Sequence, residues 1–106
     1  MTTASPQVTE FYHQLGLLIK SRLPLPDSLR ELSAHLPSPA FRDALLRVSE
    51  MTANGARFSD AVRAYPRFFD PVHAQMIAAG ESAGTLADTL FCLARFAASG
   101  ISWSPA

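Results

Sequence analysis

The chain has 106 residues, 48% of them hydrophobic, which suits one domain with a core of its own. Nine Lys+Arg balance nine Asp+Glu, and that neutrality argues against a nucleic-acid binder, which needs a basic field to displace phosphate counterions. The single cysteine rules out an intrachain disulfide and suits a reducing compartment; the apolar runs fall far short of the ~20 residues of a bilayer span, and no basic start leads into an apolar signal segment.

Residues 1–5 read as a flexible polar lead-in. Ser5 as cap and Pro6 as first helical residue open helix one, in which Val8, Phe11, Tyr12, Leu15, Leu18 and Ile19 share one face. The prolines of Leu23-Pro24-Leu25-Pro26 stop it. Pro26 is expected to open helix two, with Leu29, Leu32 and Leu36 inward and Asp27 and Glu31 in the early turns that favour anions. Pro37 ends it. Ser38-Pro39 starts helix three, whose inward stripe is Phe41, Leu45, Val48 and then Met51 or Thr52. Asn54-Gly55 closes it, with Gly55 as the left-handed cap.

Ser59 reads as the cap of a short helix four running through Ala64. Asp70 and Pro71 open helix five, in which Val72, Met76 and Ile77, with Gln75 as a further candidate, follow before Gly80. Helix six follows Gly84, turns Leu86, Leu90, Leu93, Ala94 and Ala97 inward and stops at Gly100; residues 101–106 read as a tail. No stretch alternates apolar and polar residues as a half-buried strand does. The fold class is therefore all-α, a compact bundle of about six short antiparallel helices in one unit over residues 6–100.

Each chemical constellation has a plainer reading. Glu10 and His13 have the Glu-x-x-His spacing of di-iron bundles, but those need two such pairs and the chain has one. His35 falls at a helix end, where a cation meets open carbonyls, and His73 in a first turn as a surface residue. Cys92, on an apolar helix, is expected to be a buried small hydrophobe. No nucleophile elbow occurs. Gly80-Glu81-Ser82-Ala83-Gly84 lacks the lysine of a phosphate-binding loop, so it reads as a tight interhelical turn with Glu81 facing the open amides of helix six. No catalytic, metal or cofactor residue is expected, and no small-molecule substrate. Among Tyr65, Phe68 and Phe69, Phe69 is the expected core plug, because consecutive aromatics on one extended segment cannot all point inward; one of the others is left for a contact surface. Charged residues make up 17%, against a typical ~25%, which hints at surface covered by a partner.

Three blocks in order resemble a known family. They are Phe11-x-x-Gln14-Leu15-x-x-Leu18-Ile19 with Leu23-Pro24-Leu25 and Ser28-Leu29; Asn54-Gly55 with Phe58-Ser59-Asp60-Ala61-Val62; and Pro66-x-x-Phe69-x-Pro71 followed by Met76-Ile77-x-Ala79-Gly80-Glu81-x-Ala83-Gly84-x-Leu86. Over about residues 8 to 98 they are similar to the F domain of type II secretion, found in the inner-membrane platform proteins of type II secretion systems and type IV pili. On this resemblance Gly80, Glu81, Gly84 and Leu86 form the family-motif turn, supported by Pro66, Phe69, Pro71, Leu23 and Pro24. The family often has glycine where this chain has Arg22, so either the turn is reshaped or Arg22 reaches the helix carbonyls.

The resemblance implies a non-enzymatic scaffold domain on the cytoplasmic face of the bacterial inner membrane, contacting the assembly ATPase and other platform subunits and coupling ATPase motion to pseudopilin extraction. Membrane attachment would come only through segments outside this chain. Low charge and the family's tendency to self-associate point to a weak homodimer. The rival reading is a generic helical adaptor unrelated to secretion.

Overall fold

The computed structural model describes residues 6–99. The lead-in, the Ser5 cap, the Gly100 stop, the tail and the side chain of Ala97 lie outside the described residues. In chain order the helices are α1 Pro6–Lys20, α2 Leu25–Ser33, α3 Pro39–Ala53, α4 Phe58–Val62, α5 Pro71–Ala83 and α6 Leu86–Ser99. No strand occurs among the described residues. Each helix packs on its neighbours in sequence and α6 returns against α1, so the six helices close into a ring.

The ring encloses one core. Phe11, Tyr12 and Leu15 from α1 meet Leu29, Phe41, Leu45, Val48, Phe58, Val62, Ile77, Leu90 and Leu93, all buried. Phe11 is the hub, with ring centroids 5.8 Å from Tyr12, 5.6 Å from Phe41 and 5.9 Å from Phe69. The contacts with Phe41 and Phe69 are edge-on, an orientation aromatic quadrupoles favour. Phe69 is the buried plug; Phe68, half-buried, stacks on Phe41 at 5.0 Å, and Tyr65 is also half-buried against the core.

Local punctuation set the starts of α2, α3 and α5. Ser38 Oγ accepts from the Phe41 amide at 3.3 Å ahead of α3, and Asp70 Oδ1 from the Val72 amide at 2.8 Å ahead of α5. α2 begins at Leu25, one residue before the expected Pro26, because Pro24 with its fixed φ of -55° already holds the capping position and its carbonyl accepts from Ser28 N at 2.9 Å. The expected Ser59 cap is not found: α4 starts at Phe58, and Ser59 is buried inside it. α4 also ends at Val62, two residues before the expected Ala64.

One inward stripe, that of α5, and the setting of Cys92 differ from expectation, while Leu90, Leu93 and Ala94 of α6 are buried as expected. α5 buries Ala74, Ile77 and Gly80, leaving Met76 half-buried and Val72 41% exposed. Those positions are three apart on one face, and at Gly80 the missing side chain lets α6 come close. Cys92 is exposed rather than buried. The buried stripe of α6 runs through Leu90, Leu93 and Ala94, and a residue two past Leu90 sits about 200° round the helix, on the far side.

α1, α3 and α5 close in the same way. Arg22 N bonds Ile19 O at 2.9 Å and Leu23 N bonds Leu18 O at 3.1 Å. Gly55 and Gly84 repeat that paired pattern, which requires a left-handed residue at the turn. The turn after α1 is therefore not reshaped: Arg22 adopts φ 74°, as Gly84 does. A side chain there costs about 1–2 kcal/mol, partly offset by its lower freedom in the unfolded chain. Arg22→Gly is expected to stabilise the fold by about 0.5–1 kcal/mol, read as a higher urea midpoint; a lower midpoint contradicts this account.

Candidate functional site

Gly80, Glu81, Ser82 and Ala83 lie inside α5 rather than in a loop, and the turn proper is Gly84-Thr85. The Thr85 amide bonds Gly80 O at 2.8 Å and the Gly84 amide bonds Glu81 O at 3.3 Å, which Gly84 permits through its positive φ. Gly80 has a different reason to be glycine. A Cβ there would collide with Thr89 Oγ1, come within 2.9 Å of Thr89 Cβ and 3.4 Å of Leu86 Cα. Thr89 cannot swing away freely, because its hydroxyl donates to Thr85 O at 3.0 Å. α5 and α6 thus cross on Gly80. Gly80→Ala is expected to cost about 1–3 kcal/mol by overpacking; a chemical melt matching wild type would remove the crossing argument.

Glu81 does not face α6 as its place in an assumed turn suggested. Being helical, it projects sideways to α4, where Oε2 accepts from Phe58 N at 2.7 Å and Oε1 from Ser59 N at 3.1 Å. The residue before α4 is Arg57, whose side chain offers no acceptor. A carboxylate one helix away therefore fills the vacant cap and meets the positive end of α4. Arg57 crosses in the opposite direction. Its Nη2 donates to Ser82 Oγ at 3.1 Å and Ala78 O at 3.5 Å, and its Nε lies 3.8 Å from Glu81 Oε1. With Arg57 half exposed, that ion pair adds little.

The other motif residues are spread around the ring. Leu86 is half-buried against the core next to Gly80. Leu23 is half-buried and Pro24 exposed in the link from α1 to α2; Pro66 is exposed, Phe69 is buried in the core, and Pro71 is the exposed first residue of α5. The structure brings Gly80, Glu81, Gly84 and Leu86 together and leaves the supporting residues apart. Beside the four lies an open groove of about 520 Å³, completed by Ile19 and Lys20 from α1 and by Asp88. Lys20 lies 3.8 Å from the Asp88 carboxylate and 5.9 Å from the Phe91 ring centre.

The histidines also differ in setting. His13 is exposed beside the Phe91 ring, with centroids 5.7 Å apart, and Glu10 accepts from Gln14 Nε2 instead. His35 is exposed, 3.4 Å from the Glu31 carboxylate. His73 is not a surface residue: it is half-buried, with Nδ1 3.1 Å from the Tyr12 hydroxyl. Burial lowers the His73 pKa below the ordinary histidine value, with the nearby Asp70 carboxylate pulling the other way. Burial, then Asp70, pushes the Tyr12 hydroxyl well above the usual phenol range.

Sequence reasoning missed the Glu81 cap and the Tyr12–His73 bond. For the first a signal existed: a helix start preceded by Arg57, with no cap of its own, needs an acceptor from elsewhere. For the second, across 61 residues, there was none.

These observations define an all-α ring whose glycine-glutamate motif fastens one helix crossing and one helix end. A family model described as "Type II secretion system (T2SS), protein F" matches residues 11–99. The chain belongs to that family. It is 33% identical over 94 residues to the type II secretion system protein F of Vibrio cholerae, covering 89% of this chain and 23% of the relative. It is 33% identical over 86 residues to the type IV pilus assembly protein PilC of Myxococcus xanthus, covering 81% of this chain and 21% of that protein. A protein transport protein HofC homolog of Escherichia coli is 34% identical over 86 residues, with 81% and 22% covered. The chain thus spans less than a quarter of the length of these relatives. Among the described residues no helix is long and apolar enough to cross a membrane.

Proposed function

We propose that the chain is a scaffold domain of a platform protein for type II secretion or type IV pilus assembly, held at the cytoplasmic face of the inner membrane by segments outside it. It works by contact, without chemistry of its own, meeting the assembly ATPase and other platform subunits and associating weakly with a second copy. The observation that carries this reading is the family match across nearly all the described residues, 11–99, together with relatives named for secretion and pilus assembly. In this proposal the functional unit is the F-type domain expected over residues 6–100.

In this reading Gly80, Glu81, Gly84 and Leu86 position α5 and α6 and do not touch the partner. Support comes from Glu81, whose two carboxylate oxygens are both engaged by α4 amides. The test is capture on the immobilised chain from an extract of the bacterium that encodes it. Recovery of the assembly ATPase or a platform subunit is expected; recovery of neither overturns the scaffold reading. Sedimentation at rising concentration checks the self-association, and monomer throughout rejects it.

A further inference from the structure

Tyr12 is fully buried on α1, and its hydroxyl needs an acceptor for its proton. Among the described residues the group within reach is His73 Nδ1, 3.1 Å away on α5. The rings meet edge to face with centroids 5.5 Å apart. α1 and α5 are not direct neighbours in the ring of helices, so this bond joins two elements across its interior. For the Tyr12 proton to be accepted, Nδ1 must carry a lone pair. That selects the neutral ring with its proton on Nε2.

We propose that the Tyr12–His73 pair is a proton-sensitive latch between α1 and α5, closed while the imidazole is neutral and released when it takes up a proton. Protonation turns Nδ1 from acceptor into donor. The Tyr12 oxygen can then accept, but its own proton is left without a partner in a buried site, and a cation is placed in the first turn of α5, where the helix dipole opposes it. The titratable groups facing His73 are Tyr12 from α1 and Asp70 from the start of its own helix. α6, which also packs on α5, contributes the apolar Leu90, Leu93 and Ala94 to the core, and on the α4 side Arg57 is turned to Ala78, Ser82 and Glu81 while Arg63 pairs with Asp60. Asp70 favours the cation, but its Oδ1 already accepts from Val72 N at 2.8 Å, and burial is the larger influence.

The sign follows from linkage. The folded pKa of His73 lies below its unfolded value of ~6.5, so the unfolded chain takes the proton first. The contribution is complete above that value and is lost as pH falls from it through the folded pKa.

The experiment compares wild type, His73→Asn and Tyr12→Phe by urea unfolding from pH 7.5 to 5, with NMR titration of the His73 ring. Asparagine keeps an acceptor near the Nδ1 position and cannot titrate. Wild type is expected to lose folding equilibrium constant on acidification more steeply than His73→Asn. In Tyr12→Phe the His73 titration should move up towards the ordinary value, since no buried hydroxyl then depends on the neutral ring. Equal acid slopes in wild type and His73→Asn overturn the proposal. If the asparagine variant does not fold, an unmoved His73 titration in Tyr12→Phe overturns it alone.

Discussion

Phe11→Ala is expected to cost about 3–5 kcal/mol of folding stability, a large share of the ~5–15 kcal/mol typical of a domain. Phe11 is 2% exposed, and its ring meets aromatic rings from α1, from α3 and from the link ahead of α5. Those segments surround the cavity that truncation would leave, and they belong to a closed ring of helices that cannot collapse inward from one side. The residual void therefore stays large, which places this site at the costly end of such substitutions. Phe11→Leu keeps most of the volume and should cost much less. Urea unfolding followed by far-UV circular dichroism measures both. A loss below about 1 kcal/mol for alanine, the level of an ordinary substitution, would show that the core does not hinge on this residue.

What could be read from the sequence follows from how far each interaction reaches. Ser38-Pro39, Asp70-Pro71 and Asn54-Gly55 act within three or four residues, and the helix ends they set are where local rules placed them. The turn at Arg22 was legible only in part: its bonds reach back only to Ile19 and Leu18, but arginine in place of glycine left a reshaped turn open, and the left-handed conformation comes from the structure. Apolar periodicity gave the buried faces of α1 and α3. It also gave Leu90, Leu93 and Ala94 of α6, and gave less for α5, where alanine and glycine supply part of the inward face. Val72 is exposed for that reason; Cys92 is exposed because it lies off the α6 stripe, which the apolar character of its helix does not reveal.

Glycines caused the largest misreading. Two within five residues suggest a loop, yet Gly80 is helical and serves the contact with Thr89. Local reasoning sees backbone freedom in a glycine, not the neighbour that needs its missing side chain. Once Gly80 is taken out of the helix, Glu81 is aimed at the wrong amides. That one error about the motif moved its most informative side chain from α4 to α6.

Glu81→Ala is expected to destabilise the fold by about 2–4 kcal/mol, since each buried donor left unpaired costs about 1–3 kcal/mol. The donors are the amides of Phe58 and Ser59, both buried residues, and α4 has five residues and no side-chain cap of its own. Arg57 also loses a 3.8 Å ion partner, but it is half exposed, so this adds well under 1 kcal/mol. Glu81→Gln should fall between alanine and wild type. Its single carbonyl oxygen accepts from one amide, while its NH2 sets a donor against the other. The ordering wild type, Gln, Ala in urea midpoint is the signature of a cap; Gln and Ala equal to wild type would leave Glu81 free for another task. The glutamine variant also separates packing from partner contact. If the carboxylate works inside the fold, folded Glu81→Gln captures the assembly ATPase or platform subunit as wild type does. If stability is unchanged and capture is lost, the motif belongs to the partner and not to the crossing of α5 with its neighbours.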